Sequence, residues 1–64
     1  MRQEMRDRFG YLLGWREQDG SRVRGRDRLG RIRGWFDPRS NETRDVCGRL
    51  VGRGDMLAVL IVAG

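Results

Sequence analysis

The sequence contains no histidine and no lysine, and it has one cysteine and one proline. Without histidine or lysine, the hydroxyl and thiol groups of the chain have no ordinary base that could activate them as nucleophiles. A single cysteine excludes a disulfide within the chain, and the usual zinc ligand sets need several cysteines or histidines. We therefore expect a protein that is not an enzyme, with no metal, no cofactor and no small-molecule substrate.

Long apolar runs are also missing. The longest run, Met56–Ala63, covers eight residues, whereas a helix that crosses a membrane needs about 17–25. The first residues are charged and no apolar stretch follows them, so the sequence has no recognisable signal peptide. A lone cysteine is typical of a reducing compartment. These features predict a cytoplasmic protein with no membrane partner.

The chain has little material for a core, since only 38% of its 64 residues are apolar. We expect one small domain, residues 1–64, which a core of this size would stabilise only weakly. With disulfides and metals excluded, self-association is the remaining source of stability, and we expect a homo-oligomer. The apolar run either lies at that oligomer interface or seals the chain's own sheet. The candidate interface residues are Met56, Leu57, Leu60 and Ile61.

All fourteen basic residues are arginine, and they outnumber nine acidic residues to give a net charge of +5. An excess of positive charge favours anionic partners such as nucleic acid or an acidic protein. However, aspartate is interspersed with arginine, as in Arg6-Asp7-Arg8 and Arg26-Asp27-Arg28. A basic binding surface and a solvated surface that compensates its own charge therefore both remain open.

The strongest pattern is an internal repeat, R-D-x-x-G-x-x-x-G, which occurs three times. The copies are Arg6–Gly14, Arg26–Gly34 and Arg44–Gly52, and they are spaced by twenty and then eighteen residues. The pattern divides the chain into units of about 6–25, 26–43 and 44–55, followed by the apolar segment 56–64.

The first half of the repeat has the composition of a hairpin turn. Aspartate at the start of a type I turn accepts hydrogen bonds from backbone N–H groups further along the turn. Glycine three residues later supplies the positive φ of a G1 bulge. The predicted turn residues are Asp7, Gly10, Asp27, Gly30, Asp45 and Gly48. The predicted fold is all-β, a meander of short hairpins with strands near 2–6, 10–17, 22–26, 30–36, 42–44 and 48–53.

The second half of the repeat predicts which side chains share a face. Leu12, Ile32 and Leu50 occupy equivalent positions, two residues before Gly14, Gly34 and Gly52. Strict alternation places both sets on one face of the sheet. Glycine inside a strand marks the close approach of another group, and we expect Trp15 and Trp35 to lean over these gaps. The segment after Asp55 is either a helix capped by Asp55 or a further strand.

The run from Arg44 to Ala58, preceded by Gly34-Trp35-Phe36-Asp37-Pro38, resembles small R-D-x-x-G repeat proteins carried on bacterial mobile elements. It is also loosely similar to the β-flower type of short hairpin repeat, and this similarity implies a symmetric homo-oligomer. Some small mobile-element proteins inhibit host defence, anti-CRISPR proteins among them. The resemblance therefore implies a host or phage protein complex as the partner. The motif positions form turns and imply a fold without an activity.

Two functional hypotheses follow. The first is a non-catalytic, self-associating protein-binding module, such as an inhibitor of a host defence complex, with Trp15, Trp35 and Phe36 as candidate contact residues. The alternative is an arginine-mediated nucleic-acid-binding protein. Its candidate residues are Arg24, Arg26, Arg31 and Arg33, which a hairpin at Asp27–Gly30 would place side by side. None of the four lies at a predicted turn or apolar position, so we expect their replacement by glutamine to leave the fold intact.

Overall fold

The computed structural model describes residues 2–63, which form an antiparallel sheet and a short C-terminal helix. Neighbouring strands in sequence are neighbours in the sheet, so the strand order is β1-β2-β3-β4-β5-β6. The predicted meander of hairpins is confirmed, and the apolar segment is a helix. The elements are β1 Arg2–Arg6, β2 Leu12–Asp19, β3 Arg22–Asp27, β4 Ile32–Asp37, β5 Glu42–Asp45, β6 Leu50–Arg53 and α1 Leu57–Ala63.

Each repeat begins with the same hydrogen-bonded turn. The amide nitrogens of Gly10, Gly30 and Gly48 each donate to the carbonyl oxygen of the aspartate three residues earlier, at 3.0 Å. The φ angles of these three glycines are 89°, 85° and 84°, a region that strongly favours glycine. The turns connect β1 to β2, β3 to β4 and β5 to β6. All three therefore lie at the same end of the sheet.

The second half of each repeat contains a β-bulge that the sequence analysis did not anticipate. Arg26 lies opposite Trp15 on one side and opposite Ile32 on the other. Ile32 therefore shares the face of Trp15, away from Gly34. Register shifts at the corresponding points of β1–β2 and β5–β6 place Leu12 opposite Arg6 and Leu50 opposite Arg44. The prediction that these apolar residues share a face with the glycines is wrong, because the extra residue of a bulge reverses the alternation.

The helix packs on the face that carries the repeat glycines. A Cβ atom placed on Gly34 would lie 2.7 Å from Leu60 Cδ1, and a Cβ on Gly52 would collide with the Met56 sulfur. The side chains that fill the gaps above the glycines therefore come from α1 and from Met56, the residue before it. The expectation that the tryptophans fill these gaps is wrong, because the tryptophans point to the opposite face.

Leu57 and Ile61 are the most deeply buried apolar side chains of the described residues, at 0% and 2% exposure. Both are enclosed by their own chain, since α1 contacts β2, β3 and β4. Of the two possibilities for the apolar segment, the structure shows the one in which it seals the sheet. Leu57 and Ile61 therefore cannot form an interface with a second copy in this fold. Within residues 2–63, no helix is long and apolar enough to span a membrane.

Thr43 joins the end of β6 to the start of α1. Its side chain is fully buried, and its hydroxyl group donates to the Gly54 carbonyl oxygen at 2.7 Å. The Thr43 hydroxyl oxygen also accepts a hydrogen bond from the Met56 backbone N–H at 2.9 Å. Asp55, which lies between Gly54 and Met56, caps α1: its carboxylate accepts a hydrogen bond from the Leu57 N–H at 3.2 Å. These bonds set the direction in which the helix returns across the sheet.

Candidate functional site on the uncovered sheet face

The face of the sheet opposite α1 is not covered by any described residue of the chain, and we call it the open face. Cross-strand register identifies its members, because residues directly opposite each other share a face. Trp15 lies between Glu4 and Arg26, and Trp35 lies between Arg24 and Arg44. The open face comprises Arg2, Glu4, Arg6, Leu12, Trp15, Glu17, Asp19, Arg22, Arg24, Arg26, Ile32, Trp35, Asp37, Glu42, Arg44, Leu50 and Arg53.

Both tryptophans of the open face are half-buried between arginine side chains. The Arg2 guanidinium lies over the Trp15 ring at 4.2 Å from its centroid, and Arg22 lies over Trp35 at 5.2 Å. Each indole Nε1 is buried, and neither has a hydrogen-bond acceptor among residues 2–63. Each ring thus has an arginine of its own chain over one face, while its buried N–H group has no acceptor among these residues.

The two tryptophans differ in their distance from the repeat turn that follows each of them in the sequence. A Cβ atom placed on Gly30 would lie 3.6 Å from the Trp15 ring, whereas nothing lies within 4 Å of the corresponding position on Gly48. Trp35 instead borders a cleft of about 520 Å³, which Arg22, Arg44, Val46 and Cys47 also line. We call this space the Trp35 cleft. The surroundings of Trp15 and Trp35 therefore differ, although the two tryptophans occupy equivalent positions of the repeat.

The arginines of the open face are largely neutralised by carboxylates. Arg24 and Arg26 share Glu17, with Nε–Oε1 distances of 3.3 and 2.7 Å. The hydrogen bond from Arg26 is the main cause that holds the pKa of Glu17 below its ordinary value. Across residues 2–63, nine arginines have a carboxylate oxygen within 4.0 Å. Free positive charge is therefore scarce on this face.

The four predicted nucleic-acid contacts do not form one group. Arg24 and Arg26 lie on the open face, while Arg31 lies at a hairpin turn and donates to the Asp27 carboxylate at 2.8 Å. Arg33 reaches the helix, where its Nε lies 3.4 Å from the Leu60 carbonyl oxygen. The expectation that these arginines lie side by side is wrong, because the bulge directs Arg33 to the helix side.

Phe36 is also separated from the open face. It pairs with Val23 and Thr43, on the side of the sheet that α1 covers. Phe36 is half-buried there, so its ring cannot extend a contact surface centred on Trp35. Of the three predicted aromatic contact residues, the structure places Trp15 and Trp35 on one surface and Phe36 on the other.

Sequence reasoning missed the function of the repeat arginine. Arg6, Arg26 and Arg44 each donate from Nη1 to the carbonyl oxygen of the glycine four residues later, at 2.9, 2.7 and 2.9 Å. The following aspartate accepts two backbone N–H groups of the same turn in every repeat. Arginine recurs at this position in all three repeats, and this recurrence is the feature of the sequence from which a structural contact could have been predicted.

The described residues contain no cluster of three or more histidine, cysteine, aspartate or glutamate side chains that could hold a metal ion. Comparison with protein-family models, curated proteins and solved structures found no match for this chain. The open face and the Trp35 cleft are therefore the features of the structure that bear on function.

Proposed function

We propose that the chain is a non-catalytic protein-binding module that contacts its partner through the open face. The observation that carries this proposal is the position of Trp35 beside an unfilled cleft of about 520 Å³. Tryptophan and arginine are enriched among the residues that dominate binding energy at protein interfaces. A rigid sheet that holds both types in fixed positions loses little conformational entropy on binding.

The ion pairs around the tryptophans support a protein partner over nucleic acid. Arg24 and Arg26 would have to give up Glu17 to reach a phosphate group. Around a protein contact they keep these ion pairs, and such a polar rim excludes water from the apolar centre of an interface. Arginine-mediated nucleic-acid binding is the alternative, and the experiment below distinguishes it.

The resemblance of the repeat to mobile-element proteins suggests the class of partner. We propose a host or phage protein complex in the cytoplasm, which the module would inhibit by occupying its surface. Self-association belongs to the same proposal. Because Leu57 and Ile61 are enclosed by their own chain, a homo-oligomer would have to use other side chains, such as Val59 at 55% exposure.

The test compares the wild-type protein with Trp35→Ala in binding to the complex that it captures from its native host. Trp35→Ala should weaken the complex by about 30-fold, as expected for the loss of an anchor worth about 2 kcal/mol. Arg39→Ala is the matched control, because Arg39 is exposed in the β4–β5 turn. Its affinity should equal that of the wild type.

Titration with fluorescent single-stranded and double-stranded oligonucleotides at about 0.15 M salt tests the alternative. We expect weak binding that Trp35→Ala does not change. Sub-micromolar affinity that falls steeply with salt would contradict the proposed function and favour the alternative. Equal capture of the host complex by Trp35→Ala and wild type would exclude the Trp35 cleft as its contact site.

A further inference from the structure

The repeat turns carry exposed apolar side chains that the fold does not require. Phe9, Leu29 and Val46 are 72%, 68% and 53% exposed, and they occupy central positions of their turns. These positions of a type I turn accept most residue types. Large apolar side chains at such sites, grouped on one part of a surface, indicate an interaction site.

The first two of these turns lie beside the end of the helix. Neighbouring repeat turns are two strand spacings apart, about 9–10 Å. Tyr11 and Val62 adjoin them and are 71% and 59% exposed. Between these side chains lies a groove of about 270 Å³, lined by Tyr11, Leu13, Leu29 and Val62 together with Arg28 and Arg31. We call it the tip groove. It lies at the end of the sheet, whereas the Trp35 cleft lies on the open face.

The charge of the tip groove is positive. Among residues 2–63, Arg28 has no carboxylate oxygen within 4.0 Å. Asp27 is the one acidic residue that lines the groove in the described part of the chain, and it is only 3% exposed. Its Oδ1 accepts the N–H groups of Leu29 and Arg31, and its Oδ2 accepts from the Arg31 side chain. Asp27 is thus fully used by its own turn.

An apolar groove lined by a guanidinium without a carboxylate partner favours a ligand that has both an apolar group and a negative charge. Tyr11 gives the groove one ring on which a nucleic-acid base could stack, but a nucleic acid would leave the three aliphatic walls, Leu13, Leu29 and Val62, uncovered. A polypeptide with an apolar side chain beside a carboxylate fills the groove and pairs with Arg28. We propose that the tip groove binds an acidic polypeptide segment anchored by one apolar side chain. This surface is separate from the one in the proposed function.

Selection from a random peptide library displayed on phage tests the proposal. We expect the enriched peptides to combine aspartate or glutamate with leucine, phenylalanine or tryptophan. A selected peptide, titrated into the ¹⁵N-labelled protein, should shift the amide signals of Leu29, Arg31 and Val62. In the selected peptide, replacing the acidic residues by their amides should weaken binding by about tenfold.

Two protein variants locate the site. Leu29→Asn removes the apolar wall at an exposed turn position that suits asparagine, and it should weaken peptide binding by about tenfold without lowering the thermal midpoint. Trp35→Ala should bind the peptide as the wild type does, so the two surfaces can succeed or fail separately.

Several results would overturn the proposal. They are the failure of the library to yield any specific peptide, enrichment of peptides without acidic residues, and peptide binding that Leu29→Asn does not change. Tighter binding of single-stranded oligothymidine or of anionic phospholipid vesicles at the same amide signals would also overturn it, since the groove would then recognise a different class of molecule.

Discussion

The side chain of Leu57 lies directly against Gly25 at the centre of the sheet. A Cβ atom on Gly25 would be 3.0 Å from Leu57 Cδ2 and 3.3 Å from Ile61 Cδ1. These two helical residues are the most deeply buried apolar side chains of the described residues. The small core therefore depends on a residue of β3 that has no side chain.

Gly25→Ala should lower the free energy of unfolding by about 1–3 kcal/mol, because the added methyl group overpacks the contact with Leu57. Urea unfolding followed by tryptophan fluorescence measures this change. In the double variant Gly25→Ala/Leu57→Val the shorter side chain leaves room for the methyl group. Its loss of stability should be smaller than the sum of the single losses by at least about 0.5 kcal/mol. Strict additivity would contradict the contact.

Thr43→Val should cost about 1–3 kcal/mol, since valine fills the same space but leaves the Gly54 carbonyl and the Met56 N–H without their buried partner. Thr43→Ser keeps the hydroxyl group and serves as the control. The same denaturation measurement should show serine much closer to wild type than valine. If both variants lost equal stability, the hydroxyl contacts would not hold the joint between β6 and α1.

Arg26→Gln should destabilise the fold by about 1 kcal/mol, because the guanidinium holds both the Gly30 carbonyl oxygen and the Glu17 carboxylate. Arg39→Gln removes the same charge from an exposed turn and should have little effect. Thermal unfolding monitored by circular dichroism compares the two variants. Equal melting temperatures would mean that the repeat arginine does not contribute to stability.

Stability should fall as the pH drops below about 4. Burial raises the pKa of the Asp27 carboxyl group, but hydrogen bonds from Arg31 and Leu29 lower it by more than burial raises it. The pKa of Asp27 is therefore below its ordinary value. The pKa of Glu4 is also lowered, first by its hydrogen bond from Arg2. A carboxyl group whose pKa is lower in the folded state stabilises the fold above its unfolded pKa, and this stabilisation is lost as pH falls through the folded pKa.

Asp27→Asn tests this dependence, since the amide oxygen can still accept backbone N–H groups but does not titrate. Its urea midpoint should change less between neutral pH and about pH 3 than the wild-type midpoint does. A variant with an unchanged pH profile would show that Asp27 does not cause the acid sensitivity.

Deletion of residues 56–64 should abolish cooperative unfolding, because it exposes the glycine-lined face of the sheet and removes Leu57 and Ile61. Light scattering should report aggregation, and circular dichroism should show loss of the strand signal. A monomeric truncation that unfolds cooperatively would contradict the role of α1 as the cover of the sheet.

The strands and turns could be predicted from the sequence because their chemistry is local. Asp45 and Gly48 lie within one turn, and their side-chain and φ requirements appear directly in the residue types. The face of Ile32 could not be predicted in the same way. The bulge depends on how β3 and β4 pair. Its one extra residue moves Ile32, which precedes it, to the opposite face of the sheet from the one that strict alternation predicts.

The candidate surfaces were predictable only in part. Trp15 and Trp35 occupy equivalent repeat positions, and a shared face follows from that equivalence. No local pattern showed that Glu17 on β2 would pair with both Arg24 and Arg26 on β3. The cleft beside Trp35 depends on the space above Gly48, and the sequence of the third turn, Val46-Cys47, does not reveal it.

The placement of α1 across β2, β3 and β4 also has a consequence for the order of folding. Each repeat hairpin joins residues that are close in sequence, and such hairpins form within about 1–10 μs. The contacts of Leu57 and Ile61 close a loop that includes two hairpin units, and this closure is slower because it costs more chain entropy. We expect helix docking to be the last step of folding and detachment of the helix to be the first step of unfolding. Amide hydrogen exchange should then be faster in α1 than in β3.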